Sequence, residues 1–150
     1  MIAAVSLSST ALHCAEITLK TWHPWQLDSV LVAWVLAQAR TPAPLFESVP
    51  RGNAIPAVEA IDTPDSPYRR GGQWTAFEEA TRIERFQHVC VPRLREAVRV
   101  VELASWRKPE YPKIEEFEAR IVRSLPAHPA KGGLDAAFAE VDQFCRETKP

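Results

Sequence analysis

Apolar residues recur along this chain at different periods, and each period predicts an element. Residues 2–7, IAAVSL, and residues 16–22, EITLKTW, read as short extended segments, the second through its alternation of polar and apolar positions. The stretch HPWQLDSVLVAWVLAQA, residues 23–39, follows. Pro24 fits at or before a first helical turn, and Asp28 suits the positive N-terminal end of a helix. Leu27, Val30, Leu31, Trp34 and Val35 form one helical stripe, while Val32, Ala33 and Leu36 make the opposite face apolar too. A helix apolar all round is expected to lie buried, with a sheet on one side and other structure on the second.

From Arg40 to Gly72 the periodicity is lost. Pro42, Pro44, Pro50, Pro56, Pro64 and Pro67 favour extended and turn geometry, with room for an edge strand at 57–61 and a loop at 62–74. Residues 74–86 fit helix or strand. Residues 88–91 and 98–103 are predicted to be extended, because β-branched side chains dominate them. Two amphipathic helices close the chain. The first carries Ile114, Phe117, Ile121 and Leu125 on one face, with early glutamates, late arginines and Pro126 as its stop. The second carries Leu134, Ala137, Phe138, Val141 and Cys145, and the short Pro/Gly link between the two predicts a helical hairpin. There is no internal repeat and no low-complexity segment.

Length and composition fit one domain: 150 residues, 25% charged, net charge −1. We divide it into an α+β core at 1–105 and the hairpin at 106–150. A near-neutral chain is not a whole-surface nucleic-acid binder, although a local basic patch stays open. Thirteen of the eighteen basic residues are arginine, which fits GC-rich codon usage or forked recognition of phosphate and carboxylate. Cys14, Cys90 and Cys145 have no paired spacing and are expected to be reduced thiols in a cytoplasm. The N-terminus has no basic n-region of a signal peptide, and the longest apolar run, residues 30–37, is too short to span a bilayer. A cytoplasmic protein without a membrane segment is the expectation.

Few residues carry catalytic chemistry. His13 and Cys14 are adjacent and would point to opposite faces of a strand, and His88 and Cys90 have no second pair at zinc spacing, so no metal site is assigned. There is no nucleophile elbow, phosphate-cradling glycine loop or zinc-protease helix. Cys14 and Cys90 sit among apolar neighbours that keep a thiol inert. His23 or His88 as a general base acting on RNA is the remaining catalytic option. The segment PYRRGGQW is richer: arginines for phosphate, glycines for close backbone approach, aromatics for base stacking. It gives Tyr68, Arg69, Arg70 and Trp74 as candidate RNA-binding residues, joined by Arg82 and Arg85 downstream. Arg93, Arg95 and Arg99 follow, with Glu78, Glu79, Glu84 and Glu96 interleaved, so a set of surface ion pairs is the competing reading.

The residues VSLSS and then HPWQLDSVLVAW, with Pro24, Leu27, Asp28, Leu31 and Trp34 at the matching positions, resemble the opening of CRISPR RAMP-superfamily subunits. Residues 55–61, IPAVEAI, and 72–77, GQWTAF, are similar to the strand, loop and aromatic pattern that follows the family's first helix; the chain departs from the family in having no clear glycine-rich loop near its C-terminus, where KGGLDAAF, residues 131–138, is the nearest stretch. The resemblance is strongest to the small RAMP subunit of type IV effector complexes, which caps the 5′ handle of the guide RNA. It implies a ferredoxin-like (RRM/RAMP-type) core with a Pro-rich loop insertion, the helix at 23–39 packed behind the sheet, and Asp28 orienting its first turn. It also implies a non-catalytic subunit of an antiviral ribonucleoprotein, without cofactor, whose partners are guide RNA and the other protein subunits. A protein-interaction subunit without RNA contact and a RAMP-type endoribonuclease that processes guide RNA are the alternatives.

Overall fold

The computed structural model describes residues 15–147, so the predicted strand at 2–7 and the residues His13 and Cys14 lie outside the described part. Within it the chain is mixed α/β, about half helical, with one small sheet. Strand β1 (Thr18–Trp22) leads into helix α1 (Leu27–Ala39), which crosses over to β2 (Leu45–Val49). The strands pair in parallel, Thr18 opposite Leu45 through to Trp22 opposite Val49. This is a directly paired βαβ unit, whereas the split βαβ of a ferredoxin-like core holds another strand between the two. Two short segments extend the pair. Ala60 bridges Lys20 in parallel on one side, and Lys131 bridges Glu47 in antiparallel on the other. Ile61 in turn bridges Tyr68.

Every residue from Leu27 to Leu36 is buried, as the all-round apolar pattern demands. Gln26 and Ser29 cap the start of α1 reciprocally, with the Gln26 N–H donating to Ser29 Oγ at 3.0 Å. One face of α1 lies on the sheet through Leu19 and Phe46, and the remaining helices enclose the rest. These are α2 (Ala76–Ile83), α3 (Val91–Leu103), α4 (Pro112–Ser124) and α5 (Asp135–Arg146). Fully burying a side chain such as Leu31 or Val35 contributes about 1.5–3 kcal/mol each.

The ambiguous stretch at 74–86 resolves into α2 because Thr75 and Glu78 form a capping box. The extended structure predicted for 88–91 and 98–103 is not found. Residues 98–103 belong to α3, and 88–91 are the turn before it and its first residue. Leu94, Ala97, Val98 and Val101 recur at helical spacing and are buried, so packing overrides the β-preference of the valines. Pro92 at the start of α3 lacks only an N–H that the first turn leaves unpaired.

The hairpin of α4 and α5 is present and contributes Phe117, Ile121, Val141 and Phe144 to the same core cluster as α1. The Phe117 and Phe144 rings stack at 4.0 Å, and the Trp34 indole N–H donates to Asp142 at 3.0 Å. The expectation of reduced thiols is corrected for Cys90 and Cys145, which form a disulfide with Cα atoms 5.5 Å apart across 55 residues of sequence. Helix packing creates that proximity, so spacing along the chain gives no hint of it. No described helix is long and apolar enough to cross a membrane.

Candidate nucleic-acid interface

Three parallel extended segments, β2, β1 and residues 60–61, end at the same side of the molecule. Ligands of open α/β sheets bind in the crevice outside such carboxyl ends. A cleft of about 580 Å³ lies here. Trp22 at the end of β1, Arg51 in the turn after β2 and Thr63 beyond residues 60–61 line it, with Gln26 and Ser29 from the start of α1. Arg69 and Arg70 close the remaining side. The Trp22 indole N–H donates to the Asn53 carbonyl at 2.8 Å, which fixes the ring against the 50–53 turn.

The two arginines of the RR pair have different partners. Arg70 is anchored: its guanidinium donates to Asp62 Oδ1 at 3.0 Å, Glu102 Oε2 at 2.7 Å and Gln26 Oε1 at 2.9 Å, and it lies 3.7 Å from Asp28. The Asp62 hydrogen bond is the largest cause that raises the Arg70 pKa above its ordinary value. Arg69 is exposed, and among the described residues its guanidinium hydrogen-bonds the Pro64 carbonyl alone, at 3.2 Å.

Asp28 beneath the cleft is 0% exposed. Its oxygens accept the N–H groups of Ala76 at 2.8 Å and Phe77 at 2.7 Å, so it caps α2 from 48 residues away rather than its own helix. The resemblance assigned Asp28 to the first turn of its own helix, but Gln26 and Ser29 already cap that turn. Burial, and next the charge of Asp62, push the Asp28 carboxyl up to about 7 against the pull of the two N–H groups and Arg70.

The other predicted RNA residues are spread over several surroundings. Tyr68 is 4% exposed, and its hydroxyl is held between Arg40 and Glu84. Burial, then the Glu84 hydrogen bond, raises it to about 12. It lies inside the fold because residue 68 pairs with Ile61 at the sheet edge, which turns the ring inward; this corrects the expectation of a stacking surface there. Trp74 is 48% exposed and lies on Gly71, where a Cβ would come within 2.3 Å of the indole. With Pro67, Arg69 and Glu79 it lines a neighbouring cleft of about 460 Å³, so Arg69 stands between the two clefts. Arg82 pairs with Glu79 across one turn of α2, and Arg85, exposed at a φ of 49°, follows the end of that helix and lines neither cleft. The structure thus brings Arg69 and Arg70 together, with Trp74 beside them, and leaves Arg82 and Arg85 apart. Trp22 and Arg51 were not singled out from sequence. Trp22 ends the segment read as extended from sequence, whereas the strand before Arg51 was not read from the Pro-rich stretch at all.

The two histidines do not share a site. His23 precedes α1, whereas His88 packs on Trp34 in the later half of that helix and accepts the Cys90 N–H through Nδ1 at 3.1 Å. Among the described residues no three His, Cys, Asp or Glu side chains gather to hold a metal ion. Compared with protein-family profiles, curated proteins and solved structures, the chain matches none.

Proposed function

We propose that this chain is a non-catalytic RNA-contact subunit of a CRISPR-type ribonucleoprotein, holding the 5′ handle of the guide at the cleft beyond the strand ends. The observation that carries this reading is that two exposed arginines, Arg51 and Arg69, line one cavity of about 580 Å³ together with Trp22. Guanidiniums pair with phosphates, and an indole gives a base a stacking surface contributing about 1–3 kcal/mol. Arg70 supports the reading indirectly. Its ion pairs hold the loop that presents Arg69.

The ferredoxin-like core implied by the resemblance belongs to this proposal as well. The feature in common is a βαβ unit, but β1 and β2 pair directly here, whereas the split arrangement sets a strand between them. Such a complex works in the cytoplasm, where thiols are kept reduced. The redox state of the Cys90–Cys145 pair in freshly isolated protein is therefore a direct check on that setting.

The test is guide-RNA affinity measured across salt for the native chain and for Arg51→Ala/Arg69→Ala. Loss of two phosphate contacts lowers the slope of log affinity against log salt by about 1.4 for a single strand. An unchanged affinity and slope would remove the cleft from the proposal. The endoribonuclease alternative needs cleavage of repeat RNA that is lost in His23→Ala or His88→Ala.

A further inference from the structure

Beneath the strand-end cleft the charges do not balance. Asp28, Asp62 and Glu102 converge on the single guanidinium of Arg70, three carboxylates against one cation. Their side chains are 0%, 6% and 12% exposed, so ions in solution screen them poorly. Glu102 also feels the charge of Lys108, which leaves the excess centred on Asp28 and Asp62. Both bear on the cleft. Asp62 lines it directly, and Asp28 lies 3.7 Å from Arg70, which lines it too.

Each element packed around Asp28 has a defined part in this cluster. From α2 come the N–H groups of Ala76 and Phe77, while its Glu78 and Glu79 pair with Arg99 and Arg82. From α3 comes Glu102, and from the loop before α2 come Asp62 and Arg70. Arg69, next in sequence to Arg70, donates to the Pro64 carbonyl instead.

We propose that protonation of Asp28 sets how tightly this cleft holds an RNA phosphate: the neutral acid favours the bound strand, and the carboxylate favours its release. The inference rests on the RNA reading of the cleft. A phosphate drawn in by Arg51 and Arg69 brings a negative charge to a cluster that already carries an excess. A proton on Asp28 removes one of those charges. Proton and phosphate therefore bind with positive cooperativity, each raising the affinity for the other by the same factor. Burial and the charge of Asp62 hold the Asp28 carboxyl up at about 7, which places the change near neutral pH, where arginine keeps its charge. One unit charge acting across about 10 Å at a partly buried site changes an affinity roughly fivefold.

The probe is single-stranded oligouridine with hydroxyl ends, so that its own charge stays constant. It is titrated into the full-length chain at fixed ionic strength from about pH 5.5 to about pH 8. The native chain should lose roughly fivefold in affinity as the pH rises through 7, and Asp28→Asn should keep the acid-side affinity throughout. A second readout needs no variant. Followed by NMR in the native chain, the Asp28 carboxyl carbon should titrate with a midpoint that saturating oligouridine moves to higher pH by about 0.7, the same factor expressed as a pH shift. His23→Gln controls for the imidazole at the turn before α1 and should leave the pH dependence in place. Binding of constant affinity across the range, an Asp28 midpoint unmoved by oligouridine, or a pH dependence that vanishes in His23→Gln and persists in Asp28→Asn would each overturn this inference and leave the RNA reading standing. No binding at any pH would overturn both.

Discussion

Replacing Asp28 by alanine tests the centre of the structure. The change orphans the N–H groups of Ala76 and Phe77, both buried and both donating to this carboxylate. It also removes one of three carboxylates around Arg70. Each buried, unsatisfied donor costs about 1–3 kcal/mol, and breaking a buried charged network costs about 3–5 kcal/mol in total. In a domain of this size the expected fall in melting temperature is about 10 °C or more. Asp28→Asn keeps one acceptor and should fall between the two. Circular dichroism melts and urea titrations measure the loss, and amide exchange at Ala76 and Phe77 localises it. The pH dependence follows from the same burial. Because the folded carboxyl is raised from 3.8 to about 7, its contribution is fully present below pH 3.8 and is lost as pH rises through 7. The native chain should therefore lose stability relative to Asp28→Asn across that window. A loss below about 1 kcal/mol in Asp28→Ala, with exchange at the two amides unchanged, would refute the assignment of Asp28 as the cap of α2.

Two further outcomes follow from the same contacts. Arg70→Ala leaves Asp62 and Asp28 without their cation and should destabilise by about 3–5 kcal/mol, whereas Arg69→Ala should stay within about 0.5 kcal/mol; equal effects in urea titrations would contradict the roles given to the two neighbours. Reduction of the Cys90–Cys145 bond releases a loop spanning 55 residues, worth about 4 kcal/mol of chain entropy. The melting temperature should drop and two more thiols should react after reduction, and melts that coincide with and without reductant would argue against the bond.

What sequence could and could not reveal depends on how local the cause was. Helix α1 was legible because ten consecutive buried residues leave no polar face. The closing hairpin was legible because Phe117, Ile121, Leu134 and Val141 fall on single stripes. Helix α3 was misread because its valines favour strands in isolation, and only their burial against α1 decides otherwise. Arg70 looked like a phosphate ligand because its partners, Asp28, Asp62 and Glu102, come from three separate segments. Cys90 and Cys145 met for the same reason, through packing rather than spacing. Arg69 was singled out from its local loop chemistry, and it lines the cleft. Trp22 and Arg51 needed knowledge of where parallel strands end.

The short segments flanking the strands have a consequence for assembly. On the β2 side the Ser48 N–H donates to the Ala130 carbonyl and the Gly132 N–H to the Phe46 carbonyl, while on the β1 side the Ile61 N–H donates to the Lys20 carbonyl. A sheet this narrow would otherwise present bare backbone to any extended chain nearby, inviting stacking of one copy on the next. With those donors and acceptors already engaged, the two strands offer less bare backbone for generic strand addition.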